Sequence, residues 1–150
     1  MKLEKISEKN INDAAKLLME YWKERRMNYS HKWTVNYIRQ GHKTEIKKDV
    51  FFIIKDKNKI VGTGSIVIYE GNVGEVRDLL IKKEERGKGY GENLIKELLR
   101  FAKKNKVRKV YALVFPTIRQ MYQNMGFVQE GYLKSHFSKK EDLCFMSRFL

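Results

Sequence analysis

Apolar residues at Ile11, Ala14, Ala15, Leu18 and Trp22 recur with the period of one helical face, so the spacing predicts a helix over residues 11–22. Ser7 and Asn10 precede it, and either can cap the free N–H groups of its first turn. A weaker helical pattern covers residues 34–48, with Gly41 inside it. Then the period changes. Val50-Phe51-Phe52-Ile53-Ile54 is short, β-branched and aromatic, and reads as a buried strand. The polar stretch Asp56-Lys57-Asn58-Lys59 turns the chain into a strand over residues 60–69, and Gly71-Asn72 turns it into another over 76–81. These three segments are expected to form an antiparallel meander.

After Gly91 the helical period returns, with Leu94, Ile95, Leu98, Leu99 and Ala102 on one face and lysines opposite. Residues 109–115 (Lys-Val-Tyr-Ala-Leu-Val-Phe) have the composition of a central strand. A short helix fits 117–125, with Gly126 placed to end it. Two last strands, 127–137 and 143–150, flank a turn at Ser138-Lys139-Lys140. With a leading strand, the order is β-α-α-β-β-β-α-β-α-β-β. The strand-helix-strand unit from 76 to 115 should be a right-handed crossover joining parallel strands. The fold class is therefore α/β with a mixed sheet. Without Pro/Ser-rich linkers or repeats of 20–50 residues, residues 1–150 read as one domain.

Composition narrows the function. Apolar residues make up 42% of the chain, enough for a core, and no apolar run approaches the ~18 residues that cross a bilayer. The start, Met1-Lys2-Leu3-Glu4-Lys5, lacks the apolar stretch of a signal peptide. Cys144 stands alone, which excludes an internal disulfide or a cysteine zinc cluster. A cytoplasmic, reducing compartment is the expectation, with no metal and no membrane partner. The net charge is +14, and half of it falls between Lys82 and Lys109, where eleven basic residues face four acidic ones. Such a surplus attracts polyanions of any kind, including a phosphorylated cofactor.

Arg86-Gly87-Lys88-Gly89-Tyr90-Gly91 lies between a predicted strand and a predicted helix. Glycine lets backbone N–H groups crowd an anion, and the helix that follows aims its positive dipole end at the same spot. Arg86 and Lys88 add full charges. The segment is a phosphate cradle, yet it is not a P-loop, since no Ser or Thr follows a lysine, and it lacks the Gly-x-Gly-x-x-Gly spacing of a dinucleotide fold.

The spacing Arg86, Gly89, Gly91 after Leu79-Leu80-Ile81 closely resembles the acetyl-CoA signature Arg-x-x-Gly-x-Gly of the GNAT superfamily of N-acetyltransferases. Met121-Tyr122-Gln123-Asn124-Met125-Gly126-Phe127 is similar to that superfamily's Tyr-x-x-x-Gly-Phe motif, and the element order agrees along the chain. The resemblance implies a mostly antiparallel sheet with a central, splayed parallel pair and flanking helices. It implies that the pantetheine arm of acetyl-CoA bonds to main-chain groups around Leu80, Ile81 and Lys83. The pyrophosphate would rest on Arg86, Gly87, Lys88, Gly89, Tyr90 and Gly91, with Gly89 and Gly91 mattering most.

Acetyl transfer to an amine needs the reactants held in line and two protons managed. A lysine-like amine of pKa about 10.4 is neutral in roughly one molecule in 2500 at pH 7, so a base helps. The resemblance implies Tyr122 as the acid for the departing thiolate and Glu75 as the base. Asp78 is the rival, because strand alternation or a bulge decides which carboxylate faces the cleft. Residues 22–33 (with Arg25, Arg26, Tyr29 and His31) and the hairpin of residues 132–140 would frame the acceptor amine, on a peptide, a protein or a small molecule. The C-terminal hairpin is similar to the protein N-terminal acetylating branch, although His136-Phe137 stands where that branch has a tyrosine pair. The link from Phe115 to Tyr122 is shorter than usual and lacks the customary asparagine. His31 and His136 read as surface residues and Cys144 as core. Competing readings are a non-catalytic module on the same fold that binds nucleic acid or the ribosome, or one that senses CoA. A homodimer joined through C-terminal edge strands is an option by analogy.

Overall fold

The computed structural model describes residues 4, 6–24, 26–41, 45–57 and 59–150. Part of the expected leading strand (residues 1–3 and 5), Arg25, residues 42–44 and Asn58 therefore lie outside the described residues. The chain divides into two compact units, residues 1–46 and 47–150.

The first unit holds α1 (Ile11–Glu24) and α2 (His31–Gln40). Asn10 does not cap α1 forward; its side chain instead accepts from Ser7 N–H at 2.8 Å, while Ser7 C=O accepts from Ile11 N–H. The second helix is earlier and shorter than the sequence pattern suggested. Ser30 Oγ accepts from Trp33 N–H at 3.2 Å and starts it, and Gly41 at φ +64° ends it. Around α2, Trp33 stacks between Tyr29 and Tyr37 with ring centroids 4.3 and 5.3 Å away, and Trp22 meets all three edge-on.

The second unit is built on β1 (Ile46–Asp56), β2 (Lys59–Tyr69), β3 (Val73–Ile81), β4 (Lys109–Val114), β5 (Val128–Ser138) and β6 (Glu141–Phe149), ordered β1-β2-β3-β4-β6-β5. β1 is twice as long as expected and is not a buried strand. It lies at the edge: its first four residues are exposed, and from Val50 on half-buried and exposed residues alternate. β3 pairs antiparallel with β2 and parallel with β4, and β6 pairs antiparallel with both β4 and β5. The central parallel pair is the one the crossover requires.

That crossover is α3 (Tyr90–Lys104). Leu94, Ile95, Leu98, Leu99 and Ala102, the five residues of its apolar stripe, are buried against Ile66, Val76, Val110 and Ala112 of the sheet. Cys144 is fully buried in this core. A 3₁₀ turn at Pro116–Ile118 leads into α4 (Arg119–Asn124), shorter than expected, with Gly126 at φ +81° just beyond it. Among the described residues no helix is long and apolar enough to cross a membrane, and no cluster of His, Cys, Asp and Glu could hold a metal ion.

Candidate active site

β3 changes character midway. Its parallel pairing with β4 runs from Val73↔Lys109 to Val76↔Ala112 and stops, while β3 continues to Ile81 and β4 to Val114. On its other side, the register with β2 jumps from Ser65↔Arg77 to Thr63↔Leu80. Two β3 residues, Asp78 and Leu79, thus face the single Gly64, and Asp78 takes φ +51°. This is a β-bulge, which bends and twists the strand that carries it. Beyond it the two central strands part.

The bulge also settles which carboxylates share a face. Glu75 Oε2 accepts from the hydroxyls of Tyr69 (2.6 Å) and Tyr111 (3.1 Å), and Asp78 Oδ2 accepts from Ser65 Oγ (2.9 Å). Ser65 and Tyr69 lie on the same side of β2, opposite Gly64, whose neighbours are Leu94 and Leu98 of α3. Glu75 and Asp78 therefore both face away from α3, though three residues apart in a strand. The Glu75 side chain is 15% exposed, and Arg77 Nε lies 3.8 Å from its Oε1. Burial, and then the negative Glu75 beside it, push the Tyr111 hydroxyl well above the usual tyrosine range. Burial and the bond to Glu75 raise Tyr69 as well. Both hydroxyls stay protonated and act as donors to the carboxylate.

At the far end of β3, Lys82 N–H donates to Val61 C=O at 2.9 Å, so the strand still holds β2 there. Alternation then turns the main-chain groups of Leu79 and Ile81 away from β2, toward the gap. The Leu80 carbonyl faces β2 instead, where a Cβ on Gly62 would stand 2.7 Å from it. Of the three main-chain positions expected from sequence, Ile81 opens on the gap and Leu80 does not; Lys83 starts a 3₁₀ turn over Lys83–Glu85 and is exposed. The main-chain groups of Leu79, a position not singled out from the sequence, open on the gap as well. The Ile81 carbonyl accepts from Arg86 Nε at 3.1 Å.

The glycine loop follows. Gly87 and Gly89 sit at φ +79° and +80°, where other residues are strained, and nothing lies within 4 Å of the Cβ either would carry. Gly89 caps α3 without a side-chain hydrogen bond, so the N–H groups of Gly89, Tyr90, Gly91 and Glu92 find no acceptor among the described residues. Gly91 has no positive φ, and the conformational demand expected there belongs to Gly87 instead. Its Cβ would meet Met121 Sδ at 3.7 Å and Ile81 Cγ1 at 3.8 Å, which brings α4 and the end of β3 beside the loop. Lys88 Nζ pairs with Glu85 at 2.7 Å, leaving the loop's main chain open.

Tyr122, next to Met121 on α4, is 2% exposed and packs edge-to-face on Phe127 at 5.1 Å. Burial pushes its hydroxyl well above the ordinary tyrosine range, so it holds its proton at any neutral pH. In the β5–β6 hairpin, Tyr132 donates to Asp142 at 2.6 Å, Ser135 N–H donates to the same carboxylate at 2.7 Å, and Phe137 meets Phe115 edge-on. His31 and His136 are exposed.

An N-terminal helix dipole facing open space beside a splayed parallel pair is an anion-binding architecture. Residues 12–127 match the model of the acetyltransferase (GNAT) family, and the chain belongs to that family. The protein named Probable glucosamine 6-phosphate N-acetyltransferase 2, from Oryza sativa subsp. japonica, is 30% identical over 81 residues, 50% of this chain and 49% of that protein. The chain thus spans about half the length of this curated relative. Among solved structures, an acetyltransferase from Bacillus cereus superposes over 100% of this chain and 98% of its own, with a TM-score of 0.66 at 17% identity. A Bacillus subtilis acetyltransferase in complex with CoA matches over 69% of this chain and 78% of its own, with a TM-score of 0.62 at 16% identity.

Proposed function

We propose that the chain is an acetyl-CoA-dependent N-acetyltransferase acting on a primary amine. The observation that carries this reading is the set of open N–H groups at the start of α3, set beside the gap where β3 leaves β4. The residues fit the cofactor: the space over Gly87 and Gly89 is free, the helix dipole points into it, and Arg86 and Lys88 add positive charge. When bound, acetyl-CoA supplies an acyl group activated as a thioester.

In this reading the N–H groups of the loop grip the diphosphate, and the main chain of Leu79 and Ile81 extends its ladder to the pantetheine amides. Ile81 C=O becomes available when Arg86 swings to a phosphate. Tyr122 gives its proton to the departing sulfur, a role suited to a hydroxyl that burial keeps protonated. Glu75 takes the proton of the amine on Oε1, directly or through water, while Tyr69 and Tyr111 hold Oε2 fixed. Asp78, exposed and bonded to Ser65, serves the bulge rather than the proton.

The acceptor is a peptide, a protein or a small amine. Among small amines the name of the rice relative favours an amino-sugar phosphate, and the net charge of +14 favours an acceptor with negative charge over a polycation. Thiol release from acetyl-CoA, scored over amino-sugar phosphates, N-terminal peptides and polycationic amines, tests the proposal. Amine-dependent release with the anionic sugar or a peptide supports it. Tight CoA binding without release for any amine would leave a CoA sensor, and stabilisation by oligonucleotide but not by CoA would overturn the reading.

A further inference from the structure

We propose that Arg77 binds an anionic group carried by the acceptor itself, so that the enzyme selects small amines with a carboxylate or phosphate near the amino group. This rests on the reading of Glu75 as the base and names the acceptor class of that same site. Arg77 follows Val76, whose pairing with Ala112 is the last rung between β3 and β4, so it stands at the mouth of the gap. It shares a side of β3 with Glu75, two residues earlier, and its Nε lies 3.8 Å from Glu75 Oε1. That is beyond hydrogen-bond distance. Among the described residues no acceptor engages any N–H of this guanidinium, and its side chain is 55% exposed. Oε1 likewise takes no hydrogen bond there, because the two tyrosine hydroxyls bond Oε2. A cationic fork and a carboxylate oxygen, each open to a ligand, thus lie side by side where the strands part.

The chemistry of the pair is selective. An ammonium ion approaching Oε1 meets the positive charge of Arg77 beside it, which penalises polycations and simple alkylamines. A carboxylate or phosphate on the same molecule reverses that penalty and takes two parallel N–H bonds from the planar guanidinium. It also neutralises the cation that otherwise weakens Glu75 as a base. The reach fits a small molecule. With hydrogen bonds of about 2.9 Å at each end and 3.8 Å between Nε and Oε1, an anion on Nε lies at most about 10 Å from the amine. Across the gap, the face of β4 that carries Tyr111 presents Leu113, 36% exposed, which offers no competing charge. The carboxylate of Asp78, the other acid on this side of β3, is bonded to Ser65. Ile81, beside the glycine loop, is four residues further on, about 13 Å of extended chain, so Arg77 stands apart from the grip on the diphosphate.

Acceptor pairs matched except for the anion test this by thiol release: an amino-sugar phosphate against the unphosphorylated sugar, and an amino acid against its amide. In the wild type, removing the phosphate or the carboxylate should cost about tenfold or more in kcat/KM, mostly through KM. The pair with the larger cost identifies which anion is read. Arg77→Gln should lose most of that difference and Arg77→Lys should keep part of it, with CoA affinity by calorimetry unchanged in both. Equal efficiency within both pairs in the wild type, or a preference for the uncharged members, overturns the inference and leaves the acetyltransferase reading intact. A preference that persists undiminished in Arg77→Gln overturns it as well. No release with any amine removes that reading and this inference together.

Discussion

Ser65 Oγ donates to Asp78 Oδ2 at 2.9 Å, tying β2 to the one residue of β3 with a left-handed backbone. The bond fixes the bulge, and the bulge separates the central strands. Aspartate and asparagine tolerate that backbone better than other non-glycine residues.

Asp78→Ala should cost about 1–3 kcal/mol in denaturant unfolding, because Ser65 is buried and loses its acceptor while the strained backbone remains. Asp78→Asn keeps both features and should cost less. Glu75→Gln should instead cut turnover at least tenfold with CoA affinity unchanged. If Asp78→Asn abolished turnover and Glu75→Gln did not, the roles assigned to the two carboxylates would be reversed.

Gly89→Ala forces a Cβ onto a backbone at φ +80°, worth about 1–2 kcal/mol, and moves the N–H groups that follow. Calorimetric titration should show CoA affinity reduced at least tenfold. Gly87→Ala should behave alike.

Gly62→Ala is a packing test away from the loop. Its Cβ would stand 2.4 Å from Ile81 Cδ1 and 2.7 Å from the Leu80 carbonyl, and the carbonyl cannot move aside cheaply. A loss of about 1–3 kcal/mol is expected in chemical denaturation. Gly91→Ala, with ordinary contacts at 3.7 and 3.8 Å, should leave fold stability nearly intact.

Tyr122→Phe should lower turnover at least tenfold while CoA still binds, read by thiol release and calorimetry side by side. Full activity would remove the hydroxyl from the mechanism.

Three tyrosines set an alkaline limit. Burial raises Tyr69, Tyr111 and Tyr122 above the ordinary value of 10.0 in the folded protein, so the unfolded chain loses these protons first. Their stabilisation is complete below about pH 10 and fades as pH rises beyond it. Unfolding midpoints measured on either side of pH 10 should show the fall, and Tyr111→Phe should make it shallower.

Much of this was readable from the chain. The stripe of α3 and the glycine loop are local patterns, and both lie where the sequence implied. The limits of α2 were less readable, because a serine cap and a terminating glycine outweighed a faint periodicity that ran on into β1. The apolar centre of β1 suggested burial, yet being buried depends on neighbours, and an edge strand has a neighbour on one side only. The Tyr69–Glu75–Tyr111 cluster joins three strands and leaves no local trace. Two signals were available. Gly62 and Gly64 interrupt a strand otherwise rich in β-branched residues, which marks close backbone approach, and Arg77-Asp78 breaks the alternation of an apolar run.

The irregularity at Asp78 gives β3 two opposite parities. Up to Arg77 the even-numbered side chains turn toward α3; from Leu79 onward the odd-numbered ones do. Removing a single residue there would restore an even rhythm with Leu79 and Ile81 still turned inward, and would take away the bend at which β3 leaves β4. The extra residue therefore shapes the path of the backbone and leaves unchanged which side chains are buried.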